Sequence, residues 1–207
     1  MHIEFLVEER SAEAALTNLL PKILGPTASY RIHVHQGKLD LLDNLGRRLK
    51  GYSFWLPDDW RIVVLVDADR DDCHRLKLRM TEIARSAGLA TKQDSLTGRF
   101  HVLNRLAIEE LEAWFFGDVM ALSAAYPRVP VTLAQRARYR HSDAIAGGTW
   151  EALERELQRV GYFRSGLAKI TVARNISQHM VPERNTSRSF QVFRDGLRAL
   201  CESPAHS

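Results

Sequence analysis

The sequence predicts an α/β fold, in which a parallel sheet of about four strands is flanked by helices and followed by a C-terminal helical extension. Two observations lead to this prediction. Strand-like and helix-like patterns alternate four times up to about residue 116, which is typical of consecutive βα units. Beyond about residue 118 the pattern is helical, so we assign residues 1–117 to the α/β core and 118–207 to the extension.

The strands and helices of the core follow from hydrophobic periodicity. The third predicted strand, RIVVLV, is almost uniformly apolar, as expected for a strand that is buried on both faces of a parallel sheet. Helical spacing separates the strands, and a glycine follows each of the three helices. The predicted strands are 2–7, 30–35, 61–66 and a segment within 100–108, and the predicted helices are 12–24, 39–49 and 71–87.

Composition narrows the class of protein. The chain has 207 residues, of which 45% are hydrophobic and 26% charged, which is ordinary for a globular protein. No apolar run approaches the ~20 residues that span a membrane, and the acidic N-terminal segment lacks the features of an export signal. Two cysteines, distant in sequence, favour a reducing compartment, so we expect a cytoplasmic location.

Charge is unevenly distributed along the chain. Residues 1–127 contain 16 Lys or Arg and 18 Asp or Glu, whereas residues 128–188 contain 11 and 5. A basic second half beside an acidic first half is compatible with nucleic acid as a partner. A solvated basic helical surface explains the same charges, and charge alone favours that simpler interpretation.

Acidic residues follow three of the predicted strands. Glu8 and Glu9 close the first strand, Asp67 and Asp69 close the third, and Glu112 follows the fourth. Because ligands of open α/β sheets bind at the carboxyl ends of the strands, we expect these side chains to converge. Converging carboxylates repel unless a cation or a proton lies between them, and Mg²⁺ or Mn²⁺ suits oxygen ligands. The sequence therefore predicts a metal site with Glu8, Asp67, Asp69 and Glu112 as ligands.

Helix capping is the alternative explanation for part of this charge. Asp71 and Asp72 lie where a helix begins, so capping is favoured for both, although Asp71 remains a possible additional ligand. Asp67 directly follows the apolar run and would be partly buried, which favours a functional role. Glu8 occupies the same position after the first strand.

Two of these segments resemble the Toprim domain, which topoisomerases, primases, recombination-mediator proteins and OLD-type nucleases share. The matching stretches are "FLVEERSAE", with Glu8, and "VLVDAD", with Asp67 and Asp69. The resemblance implies that Glu8 is a general base or ligand, that the two aspartates bind Mg²⁺, and that Glu13 matches a helical glutamate. The family usually has glycine at the position of Glu9, which here is either an additional ligand or a change in loop shape.

Two later segments resemble a small bacterial Toprim-like family of unknown function. These are "LEAWFFGD" and "PERNTSRSFQVF". Genes of that family often lie beside an AAA/ABC-type ATPase in loci suspected of phage defence, which implies such an ATPase as a partner. In the first segment we expect Glu112 to face the metal site and Trp114 to pack in the core.

Three basic residues are candidates for phosphate or nucleic-acid contacts: Arg184, Arg188 and Lys169. Simpler roles compete with these assignments. Lys169 fits a solvated helix position, which we favour. Ser187 or Ser189 could cap the last helix, and the sequence favours Ser189.

Three functions are compatible with these features. The first is a Mg²⁺-dependent nuclease or other phosphodiester-processing enzyme that acts with a partner ATPase in bacterial defence or DNA repair. The second is a non-catalytic binding or regulatory subunit of an ATPase complex. The third is a metal-dependent phosphatase or phosphotransferase acting on small substrates.

Overall fold

The fold is a four-stranded parallel sheet, as the sequence predicts. The computed structural model of the protein describes residues 1–94 and 100–202. The strands are β1 (His2–Val7), β2 (Ser29–Val34), β3 (Trp60–Asp67) and β4 (Val102–Ala107), in the spatial order β2-β1-β3-β4. This order places β1 and β3 side by side in the centre, with Val7 opposite Leu65. The two central strands therefore end at the same edge of the sheet.

Helices cover both faces of the sheet and form the second half of the chain. They are α1 (Arg10–Leu24), α2 (Lys38–Tyr52), α3 (Cys73–Ser86), α4 (Glu112–Phe116), α5 (Val119–Ala125), α6 (Thr149–Arg159), α7 (Lys169–His179) and α8 (Arg188–Glu202). Short 3-10 turns occupy much of the segment between α5 and α6. Within the described residues, no helix is both long enough and apolar enough to cross a membrane.

The alternation of side chains along β3 separates two hydrophobic clusters. Val64 and its neighbours on one face pack with residues of α2 and α3. Val63 and Leu65, on the other face, belong to the same cluster as α1 and the helices of the second half. Trp114 is completely buried in that cluster, as expected, with its ring centroid 4.9 Å from that of Phe193. One continuous core therefore joins the α/β part to the helical part.

Ser187, and not Ser189, caps α8. The hydroxyl of Ser187 accepts a hydrogen bond of 3.2 Å from the backbone N–H of Phe190. Ser189 has a different role, because its hydroxyl accepts from the indole N–H of Trp114 at 3.0 Å and its backbone N–H donates to Asp143. The expectation that Ser189 caps the helix was wrong because the buried indole requires an acceptor at that position.

Arg184 anchors the segment that precedes α8. Its guanidinium donates to both carboxylate oxygens of Asp118, at 2.7 and 2.9 Å. The fully buried carboxylate of Asp118 also accepts from the backbone N–H groups of Ala121 and Val181. The arginine to which the sequence assigned a phosphate contact is thus engaged in a two-point ion pair that holds α5 to the chain before α8.

We predict that Asp118→Ala lowers the free energy of unfolding by about 3 kcal/mol, because it removes a buried carboxylate that three partners share. Urea denaturation measures this change. Asp195→Ala is the matched control, since Asp195 pairs with Arg194 at an exposed position. The control should lose less than about 1 kcal/mol. Equal losses in the two variants would contradict a structural role for the Asp118–Arg184 pair.

Candidate active site

Three carboxylates meet at the carboxyl edge of the sheet, and we call them the carboxylate cluster: Glu8, Asp67 and Glu112. Glu8 directly follows β1, Asp67 ends β3, and Glu112 begins α4 after β4. The backbone N–H of Asp67 donates to Glu8 Oε2 at 3.3 Å. The backbone N–H of Leu111, just before α4, donates to the Asp67 carboxylate. Adjacent parallel strands therefore bring together residues that are far apart in the sequence.

Burial and mutual repulsion disfavour the charged forms of this cluster. Burial raises the pKa of Glu8 to about 7, and the charges of Asp69 and Glu9 add to the shift. Burial also raises the pKa of Asp67 well above its usual value, and repulsion from Glu8 and Glu112 adds to this shift. The pKa of Glu112 rises to about 7, again mainly through burial. A proton or a cation must therefore be shared among these oxygens near neutral pH.

Within the carboxylate cluster, one oxygen of Glu112 lacks a partner in the described part of the chain. Glu112 is only 1% exposed, and its Oε2 has no hydrogen-bond partner among the described residues. A buried acceptor without a donor costs roughly 1–3 kcal/mol, and more when it is charged. This oxygen is therefore available to a cation or to a proton of its own.

A lysine that sequence reasoning missed neutralises the other side of the edge. Lys38, the first residue of α2, lies 2.5 Å from Asp69 and 2.9 Å from Asp71, and its ammonium group also donates to the Ala68 carbonyl. Asp69 is exposed, and its carboxylate pairs with this lysine. Capping was the favoured role for Asp71, and this was wrong, whereas Asp72 caps α3 as expected by accepting from the backbone N–H of Arg75.

The loops after β3 and β4 are tied together in a strained conformation. Asp69 and Glu109 both have positive φ, at 48° and 60°. The backbone N–H of Asp69 donates to the Glu109 carbonyl at 2.6 Å. Non-glycine residues rarely adopt this region, and such strain is concentrated at functional sites. The bond holds the two acidic loops in a defined relative position.

Lys169 lies beside the carboxylate cluster, and this differs from the solvated position that the sequence favoured. Its ammonium nitrogen is 3.7 Å from Glu9 Oε1 and 4.8 Å from the centre of the Trp150 ring. Burial alone would lower the pKa of Lys169, but the charges of Glu112 and Glu9 raise it overall. The first residue of α7 thus places a positive charge at the acidic edge.

Glu9 is accommodated without the glycine that the Toprim resemblance leads one to expect. Its backbone is extended, with φ −148° and ψ 167°, a conformation that any residue adopts. The Glu9 side chain accepts a hydrogen bond from the hydroxyl of Ser11. The substitution therefore requires no unusual turn, and it adds a carboxylate that faces Lys169.

Three predicted site residues lie apart from this arrangement. Glu13 is in the first turn of α1, where an acid complements the helix dipole. Arg188 is exposed at the start of α8, and Arg184 is paired with Asp118. Among the described residues, none of the three has a hydrogen bond or ion pair with the carboxylate cluster.

The donor set fits a hard divalent cation, although no site is preformed. Within residues 1–94 and 100–202, no group of three or more His, Cys, Asp or Glu side chains is arranged to hold a metal ion. The carboxylates at the edge nevertheless offer the oxygen ligands that such a cation prefers. One of these oxygens has no partner among the described residues, and the carboxylates repel one another. Cation binding would require Asp69 to leave Lys38 and the carboxylates to move together.

Comparison with known proteins gives a family for the chain. A family model described as "Domain of unknown function (DUF4276)" matches residues 7–198. The whole carboxylate cluster and the segment before α8 lie inside this match. No curated protein and no solved structure matches the chain.

We predict that Glu112→Gln stabilises the cation-free protein at high pH. The folded state keeps Glu112 protonated to about pH 7, whereas the unfolded chain ionises it near 4.5. The free energy of unfolding of the wild type therefore falls as the pH rises through this window. The melting temperature of Glu112→Gln should exceed that of the wild type by about 5 °C at pH 8 and by much less at pH 5.

Thermal melting in a chelating buffer between pH 5 and pH 8 measures this difference. Glu13→Gln, which changes a carboxylate outside the cluster, is the control and should follow the wild type. An equal shift for Glu112→Gln at both ends of the pH range would contradict the buried, protonated state of this residue.

Proposed function

Because the chain belongs to the family described as "Domain of unknown function (DUF4276)", a description that names no activity, we propose a function from the site itself. The protein hydrolyses phosphodiester bonds in nucleic acid and depends on Mg²⁺ or Mn²⁺. The observation that carries this proposal is the carboxylate cluster at the carboxyl edge of a parallel sheet, in which Asp67 and Glu112 are buried and Glu8 is half-buried. One of its oxygens is unpaired among the described residues, and a lysine lies on each side of the cluster.

The acidic residues divide into ligands and a base. Asp67, Asp69 and Glu112 would hold the cation, which when bound supplies Lewis-acid stabilisation of the phosphoryl oxygens and an acidified water. Glu8 is suited to accept a proton from the attacking water, because its pKa of about 7 lies near the operating pH. The backbone N–H of Asp67 orients the Glu8 carboxylate for this role.

The two lysines would position the substrate. Lys38 lies next to Asp69, and Lys169 lies next to Glu9, so each can exchange a carboxylate partner for a phosphate oxygen. The ring of Trp150 beside Lys169 offers a face on which a base can stack.

A basic surface at the far end of α6 supports nucleic acid as the substrate. We call it the arginine surface; it consists of Arg136, Arg138, Arg155 and Arg159. In the middle of this surface, the hydroxyl of Tyr139 donates a hydrogen bond of 2.9 Å to the carboxylate of Glu156. Arg136 and Arg159 both pair with Glu156, while Arg155 bonds to the Tyr139 hydroxyl and Arg138 lies over its ring. One carboxylate among four arginines leaves an excess of positive charge.

Helix α6 connects this surface to the carboxylate cluster. At its start, the backbone N–H of Trp150 donates to Glu110 Oε2 at 2.8 Å, next to the acidic edge. At its end, Arg159 belongs to the arginine surface. The rise of about 1.5 Å per residue separates Trp150 from Arg159 by roughly 14 Å along the helix axis. A polymer with several phosphates spans this distance, whereas a small phosphoester does not, and this favours a nuclease over a phosphatase.

A non-catalytic binding subunit is the second candidate function. It is favoured by the lack of a preformed three-ligand metal group in the described residues. In both cases the resemblance to a Toprim-like family implies a protein that acts with an AAA/ABC-type ATPase in bacterial defence or DNA repair, and the two distant cysteines favour a cytoplasmic location. Cleavage assays separate the two candidates.

We predict that the wild type cleaves single-stranded DNA, duplex DNA or RNA when Mn²⁺ or Mg²⁺ is present, and that a chelator stops the reaction. Asp67→Asn should reduce the cleavage rate by at least about 100-fold, because it removes a charged ligand at the centre of the cluster. End-labelled oligonucleotides measure the rate. Asp72→Asn is the matched control, since asparagine also caps a helix N-terminus.

Two results would count against this function. Cleavage by Asp67→Asn at the wild-type rate would refute the assignment of Asp67 as a ligand. No cleavage by the wild type with any of these substrates and metals would favour the binding subunit.

We also predict that the arginine surface binds the phosphate backbone. The double variant Arg138→Gln/Arg155→Gln should bind a labelled oligonucleotide more weakly, and the slope of log K against log salt should decrease by about 1–2. Fluorescence anisotropy between 50 and 200 mM NaCl measures this slope. Arg79→Gln, on the exposed side of α3, removes an arginine elsewhere and should leave the slope unchanged. An unchanged slope in the double variant would exclude this surface from the interface.

A further inference from the structure

A second polar site lies on the outer edge of the sheet, away from the carboxylate cluster. Strand β4 is an edge strand, and a cavity of about 350 Å³ opens beside it between α3 and α8. The cavity is lined by Lys77 and Thr81 of α3, by Lys92, and by Asn104 and Arg105 of β4. In the strand register Asn104 lies opposite Val64, three residues before Asp67. No residue of the cavity belongs to the carboxylate cluster.

The charged side chains among the described lining residues of the cavity are all positive. Lys77, Lys92 and Arg105 line it, and none of its described lining residues is acidic. Arg105 is only 8% exposed, and its guanidinium donates to two backbone carbonyls, those of Val192 and Asn104. No carboxylate pairs with it among the described residues. Burial lowers the pKa of Arg105 to about 10, and burial together with the charge of Arg105 lowers the pKa of Lys77.

The position of Arg105 depends on a glycine in α8. A Cβ atom at Gly196 would lie 2.3 Å from a terminal guanidinium nitrogen of Arg105 and 2.8 Å from its central carbon. Glycine inside a helix costs about 1 kcal/mol relative to alanine. Helix α8 therefore contains a glycine, which lowers helix stability, at the position where any larger residue would clash with the buried guanidinium of Arg105.

The side-chain amide of Asn104 is buried without a partner among the described residues. Asn104 is 5% exposed, and neither its amide nitrogen nor its amide oxygen has a hydrogen-bond partner among the described residues. Each unsatisfied polar group costs roughly 1–3 kcal/mol. A phosphate dianion accepts hydrogen bonds and cannot satisfy the amide oxygen. A ligand that satisfies both atoms must therefore offer a donor as well as an acceptor, as hydroxyl groups and nucleobase edges do.

We propose that this cavity binds a small phosphorylated ligand of nucleoside monophosphate size. Lys77, Lys92 and Arg105 hold its phosphate, and Asn104 bonds to a hydroxyl group or base edge on the remainder of the ligand. The volume lies at the lower end of the ~300–1,000 Å³ typical of ligand pockets, which suits one nucleotide unit. This inference does not depend on the proposed hydrolysis, because the two sites share no residue.

The test is calorimetric titration of the full chain with adenosine monophosphate and, separately, with inorganic phosphate. Adenosine monophosphate should bind more tightly than phosphate. Lys77→Met should weaken both ligands about tenfold or more, because each loses a charged contact. Asn104→Leu should weaken adenosine monophosphate and leave phosphate unchanged. It should also raise the melting temperature of the free protein, since the unpaired amide is gone.

Two variants serve as controls. Lys50→Met removes an exposed lysine on α2 and should bind both ligands as the wild type does. Asp67→Asn should also bind as the wild type does, which separates this site from the carboxylate cluster even if no cleavage is found. The proposal is overturned if neither ligand binds, if Lys77→Met binds as tightly as the wild type, or if phosphate binds as tightly as the nucleotide.

Discussion

The repulsion among Glu8, Asp67 and Glu112 is the constraint around which the sheet edge is organised. The two apolar central strands end at Glu8, which is half-buried, and at Asp67, which is buried, and Glu112 is buried beside them, so solvent screens these charges poorly. The raised pKa values of all three are the direct consequence. A protein that folds with such a cluster carries a destabilised site at neutral pH, and a bound cation would relieve that repulsion. The same oxygens would therefore determine both the stability of the fold and the proposed cation binding.

The second half of the chain completes this site. Glu112 belongs to the first part, whereas Lys169 and Trp150 come from helices beyond residue 117, and both lie at the acidic edge. The hydrophobic core runs without interruption through both parts. Packing on the sheet therefore orders the extension and at the same time brings positive charge and an aromatic face to the carboxylates. The boundary at residue 117 divides the sequence pattern, while the candidate site draws on both sides of it.

The unpaired buried polar atoms of Glu112 and Asn104 require ligands of opposite charge. Glu112 Oε2 lies among negative charges and would accept a cation or a proton. Asn104 lies beside Arg105, in a cavity whose charged side chains are all positive among its described lining residues, and it would accept an anion that carries further polar groups. Native proteins satisfy nearly all buried polar atoms, so exceptions of this kind point to missing partners. The sheet keeps the two sites apart, since one lies at its carboxyl edge and the other along its outer strand.

The sequence by itself determined the strands, the three helices of the α/β core and the meeting of Glu8 with Asp67, because hydrophobic periodicity and the geometry of parallel strands are local or general rules. Only the tertiary structure decided which partners the polar side chains take. Lys38 pairs with two aspartates from another loop, Ser187 caps the last helix because Trp114 uses the hydroxyl of Ser189, and an ion pair with Asp118 engages Arg184. These contacts join residues that are distant in the chain. Their geometry depends on how helices pack, and no spacing within one segment encodes it.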